Sequence, residues 1–294
     1  GFVKTLNSIL IIRPGGIGDA VLLIPIISAL KKMYPNLEID VLAEKRNFGV
    51  FNLCPDVNLI LCYDRPSEMI QVFQRKYDIV VDAEQWHRLS AIVARLIRSR
   101  RKIGFATNER ERMFTDVVDY SHDDYEVASF SRLIEPLLGT GGMAYDVPFL
   151  QIPETVNPST RLLKNLSSSY VVLFPGASIE QRQWGAENFR LLAGYLVELG
   201  YAVVVVGGPE DVVAGEKIGS DFPTAINMAG KTSLLETASL IKGAELLISG
   251  DSGILHIAVG LGVPTVSLFG PGITKKWAPQ QEKNIVISHH LSCS

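Results

Sequence analysis

Residues 245–272, ELLISGDSGILHIAVGLGVPTVSLFGPG, constrain the fold more tightly than any other stretch. An apolar run, Leu246 to Ile248, stops at Gly250 and is followed by the polar triplet Asp251-Ser252-Gly253. An apolar segment then runs to Gly262, before Pro264 introduces Thr265 to Phe269. This order predicts strand, tight turn, helix, strand. In an open parallel sheet such a turn lies at the carboxyl end of the strand, where ligands bind. The helix it opens offers unpaired N–H groups and the positive end of its dipole, which suit a phosphate or pyrophosphate, with Ser252 and Gly253 as the anion seat. The plainer alternative is that Asp251 or Ser252 only caps the helix and that His256 is a core histidine.

The same alternation fills the chain. SILIIR (8–13) ends in PGGIGDA before the helix-period segment AVLLIPIISALKKMYP; Gly15, Gly16 and Gly18 permit a sharp strand-to-helix turn, and Asp19 falls at the helix start, where an N-cap is the ordinary role. Strands are predicted over 37–44, 58–64, 77–84 and 102–105, and helices over 68–75, 89–97 and 127–138. Residues 139–160, rich in Gly, Pro, Ser and Thr, read as a linker. The pattern restarts with a strand over 169–178, a helix over 186–199, a strand over 201–208 and a helix capped by Thr232 or Ser233. Strands alternating with helices mean an α/β chain of βαβ units. With 294 residues and 47% hydrophobic content it can bury two cores, which places domains at 1–155 and 156–294.

A net charge of −3 argues against a nucleic-acid binder. Between Arg88 and Arg112, however, eight Lys or Arg stand against Glu109 and Glu111. That stretch reads as a solvated face or as a seat for an acidic substrate or anionic lipid. Cys54, Cys62 and Cys293 match no zinc spacing and fit a reducing compartment. No signal peptide is visible, and the longest uncharged apolar stretch, Ala20 to Leu30, is too short to cross a bilayer.

Three segments in order, GGIGDAVLLIP (15–25), FPGASIEQRQW (174–184) and GDSGILHIAVGLGVPTVSLFGP (250–271), resemble the signatures of the bacterial heptosyltransferases, family-9 glycosyltransferases of lipopolysaccharide synthesis. The resemblance implies a GT-B fold: two Rossmann-like, doubly wound parallel-sheet domains facing a cleft, with the acceptor on 1–155 and the nucleotide sugar on 156–294. It implies transfer of a heptose from ADP-heptose to a Kdo or heptose hydroxyl of the inner core, with inversion, no metal and no cofactor. Asp19 would be the base, on the acceptor-side loop of Gly15, Gly16 and Gly18, and Arg182 would contact the donor phosphates. Ser178, Glu210, Thr232, Asp251, Ser252, Gly253, Ile254 and His256 would complete the donor site. The partners implied are a nucleotide sugar and an acidic glycolipid or oligosaccharide, met in the cytoplasm against the inner membrane.

Family chains often carry Met where Thr232 stands, and they continue past a segment like LSCS (291–294), so a final helix is expected to be missing. Two other readings remain: a family-like transferase for another nucleotide sugar or acceptor, and a nucleotide-sugar binder without turnover. A dinucleotide oxidoreductase is disfavoured, since no complete GxGxxG opens either half. A carboxylate at a helix N-terminus is held ionised by the dipole, so Asp19 is expected to be a weak base.

Overall fold

The computed structural model describes residues 5–139, 144–156, 163–164, 166, 169–176, 184–269 and 282–288. The chain separates into two compact units, Gly1–Phe149 and Leu150–Ser294.

The first unit holds a parallel sheet of β1 (Ser8–Arg13), β2 (Glu38–Ala43), β3 (Leu59–Cys62), β4 (Lys76–Asp82), β5 (Arg98–Phe105) and β6 (Asp116–Val118), in the order β3-β2-β1-β4-β5-β6. β1 and β2 are buried over nearly their whole length, as strands covered on both faces must be. Four helices accompany them: α1 (Ile17–Met33), α2 (Pro66–Gln74), α3 (Arg88–Leu96) and α4 (Glu126–Leu138). Val72 of α2 and Val93 and Ala94 of α3 share one core with Leu10, Ile12, Leu42, Leu61 and Val80. The two helices therefore cover the same face of the sheet.

The second unit repeats the plan with β7 (Tyr170–Phe174), α5 (Ala186–Glu198), β8 (Ala202–Val205), α6 (Val212–Gly219), β9 (Ala225–Asn227), α7 (Leu234–Lys242), β10 (Leu246–Gly250), α8 (Gly253–Gly260), β11 (Thr265–Phe269) and β12 (Asn284–Ser288). Its order, β12-β11-β10-β7-β8-β9, is that of the first sheet read from the other edge. In each sheet the first and fourth strands are neighbours, and their carboxyl ends flank the topological switch point, where open α/β sheets bind ligands.

The basic stretch 88–112 does not form one face. Lys102 is buried, its Nζ donating to the Ile97 carbonyl and Ser99 Oγ, each at 2.8 Å, and burial lowers its pKa. Arg110 is buried too, donating to Asp82 Oδ2 at 2.6 Å, and Arg101 forks onto Asp116. β5 also carries Arg98–Arg101 to the amino edge of the sheet, a strand length of ~3.3 Å per residue from the carboxyl edge.

Candidate functional site

Register builds the first site. Ile12 pairs with Asp82, so the chain leaving β1 and the chain leaving β4 run side by side. A cavity of about 510 Å³ opens there, lined among others by Arg13, Gly15, Gly16, Asp19, Glu84 and Gln85. Gly15 is at φ 105°, a left-handed backbone that favours glycine. Gly16 is the N-cap of α1 at φ −79°, and a Cβ there would meet open space. Gly18 lies inside the first turn of α1 and is not among the cavity's lining residues.

Asp19 is not an N-cap: Gly16 holds that position and α1 has no side-chain cap bond. Its Oδ1 instead accepts from Gln85 Nε2 at 3.1 Å, and its Oδ2 lies 3.9 Å from Arg13. Arg13, only 1% exposed, organises this corner. It donates through Nε to the Pro14 carbonyl at 2.6 Å, through one terminal nitrogen to the Ala83 carbonyl and to Gln85 Oε1, and through the other to Glu84 Oε2 at 2.9 Å. Behind them Glu126 accepts from Gln85 Nε2 at 3.2 Å and from the Tyr120 hydroxyl.

Burial pushes the Asp19 pKa above the ordinary aspartate value; the Arg13 cation pulls it back, and Glu126 and Glu84 add to the rise. The Asp19 pKa is thus raised where the helix dipole alone predicted a weak base. The dipole is screened and worth ~0.3–1 kcal/mol at ordinary sites, and it acts here on a side chain 20% exposed.

In the second unit the candidate residues that the structure describes follow the carboxyl ends of successive strands. Glu210 comes after β8, Thr232 after β9, and Asp251, Ser252 and Gly253 after β10. Ser252, not Asp251, caps α8, its Oγ accepting from the Leu255 N–H at 3.3 Å and bonding Ser249 Oγ at 2.9 Å. The N–H groups of Gly253 and Ile254 precede that bond, in the turn where no intrahelical acceptor exists. The Ile254 side chain and Asp251 are buried. His256 is 3% exposed, and burial pulls its pKa down to about 4, so it is neutral at neutral pH. Glu210 is exposed, while its neighbour Asp211 is the buried acid of that loop, accepting from the Gly208 N–H at 2.9 Å. Thr232 bonds Thr237 at 2.8 Å. Ser178 and Arg182 lie outside the described residues.

The model of glycosyltransferase family 9 (heptosyltransferase) matches residues 68–294. The chain belongs to glycosyltransferase family 9. Lipopolysaccharide heptosyltransferase 3 of Escherichia coli is 29% identical over 286 residues, covering 89% of this chain and 83% of that one. A family-9 glycosyltransferase structure from Veillonella parvula superposes with a TM-score of 0.84 at 22% identity, covering 97% of this chain and 87% of that one. The E. coli heptosyltransferase WaaC with ADP-2-deoxy-2-fluoro heptose superposes with a TM-score of 0.78 at 18% identity, covering 95% and 92%. Two Rossmann-like units in one chain are the GT-B plan, and this family-9 chain is a glycosyltransferase.

Sequence reasoning missed Arg13, Gln85 and Glu126. An arginine closing the otherwise apolar run SILIIR was the one available signal, since a buried strand end does not tolerate an unpaired cation. Because folding raises the Asp19 pKa, its ionised form opposes folding. That penalty is absent below the unfolded value and complete above the folded one. Asp19→Asn is therefore expected to unfold at higher temperature than the parent at neutral pH, with the advantage gone near the ordinary aspartate value of 3.8. Thermal melts at the two pH values check this; a less stable Asn variant at neutral pH contradicts it.

Proposed function

We propose that the chain transfers a heptose from ADP-heptose to a Kdo or heptose hydroxyl of the lipopolysaccharide inner core, with inversion and with Asp19 as base. The observation that carries the proposal is a carboxylate of raised basicity opening on a cavity at the switch point of the first unit. The names of the relatives, a lipopolysaccharide heptosyltransferase and a heptosyltransferase bound to an ADP-heptose analogue, support the donor and acceptor classes.

In this reading the acceptor oxygen attacks the anomeric carbon from the face opposite the diphosphate. Its proton passes to Asp19 as the new C–O bond forms, and the old C–O bond breaks with its electron pair leaving on ADP. Ser252 and the backbone N–H groups of Gly253 and Ile254 would receive the departing diphosphate with Arg182, Ser178 would support it, and Asp251 and His256 would hold the turn in place. Glu210 would take the ribose and Thr232 the base side. Gly15 and Gly16 would let the acceptor approach the backbone. We propose no metal or cofactor in the reaction, because Glu84 and Glu126, the acids beside Asp19, are already turned to Arg13, Gln85 and Tyr120.

We also infer that the enzyme meets an anionic lipid surface through α3. No helix among the described residues is long and apolar enough to cross a membrane. Trp86, Leu89, Ile92 and Leu96 are exposed, and the exposed Arg88 and Arg95 belong to the same helix as the last three. Leu89 also lines the Asp19 cavity, so the ridge starts at the mouth where a membrane-anchored acceptor would enter.

Asp19→Asn should bind ADP-heptose as the parent does and lose on the order of 10² to 10⁴ in turnover, because an amide cannot take the proton. The acid limb of parent turnover should lie above 3.8. Near-normal turnover of the Asn variant removes Asp19 from the base role. For the lipid surface, Ile92→Glu with Leu96→Glu should weaken binding to phosphatidylglycerol vesicles about tenfold, whereas binding indifferent to these changes or to vesicle charge contradicts it.

A further inference from the structure

The Gln85 amide has a fixed orientation. Its Oε1 accepts from Arg13 at 3.0 Å, and arginine has only donors, so the nitrogen must face the acids. Both hydrogens of that nitrogen are then used, one toward Asp19 Oδ1 at 3.1 Å and one toward Glu126 Oε1 at 3.2 Å. Asp19 Oδ2, at 3.9 Å from Arg13, is beyond hydrogen-bond reach of that cation. One carboxylate oxygen is held from behind, and the other is left to receive a proton.

We propose that Gln85 and Glu126 are positioning residues of the transfer reaction, Gln85 aiming the Asp19 carboxylate and Glu126 raising its basicity from behind the amide. The inference rests on Asp19 being the base. The two acids approach the same nitrogen from opposite sides, close enough for like charges in a poorly solvated site to feel each other. Glu126 is 0% exposed at the start of α4, and the Tyr120 hydroxyl donates to its two oxygens at 3.2 and 3.1 Å.

The other groups around Asp19 come from every neighbouring element. Arg13 faces it from β1, but that cation binds Glu84 more closely, at 2.9 Å. Glu84 follows β4, and Tyr120 follows β6. Glu44 and Arg46, after β2, Tyr63, after β3, and His87, after β4, line the same cavity. Arg13 is thus the cation of the inner corner, shared between Asp19 and Glu84, while Glu126 adds a further acid. The direction of the Asp19 shift agrees, with Glu126 among its raising causes and the Gln85 bond among its lowering ones.

The two residues therefore act on the pH profile in opposite senses, which no merely structural role would produce. Glu126→Gln keeps an acceptor for Tyr120 and removes the charge. It should move the acid limb of kcat/KM to lower pH and cost about tenfold or less in plateau turnover, with donor KM unchanged. Gln85→Leu removes the bond to ionised Asp19. It should move the limb to higher pH and lower kcat about 10²-fold through lost aim. Limbs moving in these opposite directions support the proposal, and either variant alone carries its own half of the test. An unmoved limb, or both moving the same way, overturns it, as does a Glu126→Gln chain that fails to fold together with an unmoved limb in Gln85→Leu. If Asp19→Asn itself keeps its turnover, it is the base assignment that fails; an inactive Asp19→Asn with unmoved limbs sinks only the positioning role of Gln85 and Glu126.

Discussion

The turns after β1 and β4, at the carboxyl edge of the first sheet, are tied together by a buried guanidinium. Arg13 ends β1 at 1% exposure, where an uncompensated cation would cost several kcal/mol. It is satisfied by carbonyls of both strand exits, Pro14 and Ala83, and by the Glu84 carboxylate and the Gln85 amide. The same bonds that stabilise the cation fix the turn after β1 against the turn after β4. They also fix which end of Gln85 faces Asp19. A requirement of burial thus becomes a requirement on the orientation of the proposed base.

Charge balance in that corner has a second consequence. Arg13 gathers two carboxylates, Asp19 and Glu84, and Glu126 stands behind them across Gln85. Burial and this negative charge make Asp19 a better proton acceptor than it would be in solvent. The second unit uses a different device at the equivalent strand ends. There a helix start, capped by Ser252 and steadied by Ser249, offers backbone N–H groups and a favourable dipole end. Proton acceptance at Asp19 and anion stabilisation at the 252–254 turn are the roles proposed for them in an inverting transfer.

How much of this could be read in the sequence varied with the signal. β1, β2, β4 and β10 each contain a short run of apolar residues, and each forms near its expected place. β6 has three residues and no apolar run to announce it, and the first half of β5 is Arg98-Ser99-Arg100-Arg101, whose pairing with β4 is visible only once the sheet is built. In the second unit the turn at 251–253 was legible because a polar triplet between apolar runs has few alternatives. The sequence left open which of Asp251 and Ser252 is the cap; it is Ser252, and the alternative that His256 is a core histidine holds. The Asp19 surroundings were hidden because Gln85 and Glu126 are remote from it in the chain and converge only through the β1–β4 register and the packing of α4 on α1. Local pattern therefore suggested a capping aspartate in the place where tertiary structure sets a buried carboxylate of raised pKa against Gln85 and Arg13.

The base role proposed for Asp19 turns on burial and neighbouring charge raising its pKa. Its carboxyl carbon can be followed by ¹³C NMR while pH is varied in the donor-free enzyme. The expected midpoint lies clearly above 3.8, the ordinary value. A midpoint at or below that value would mean that the dipole and Arg13 prevail, and would contradict the assignment of Asp19 as a base raised by its surroundings.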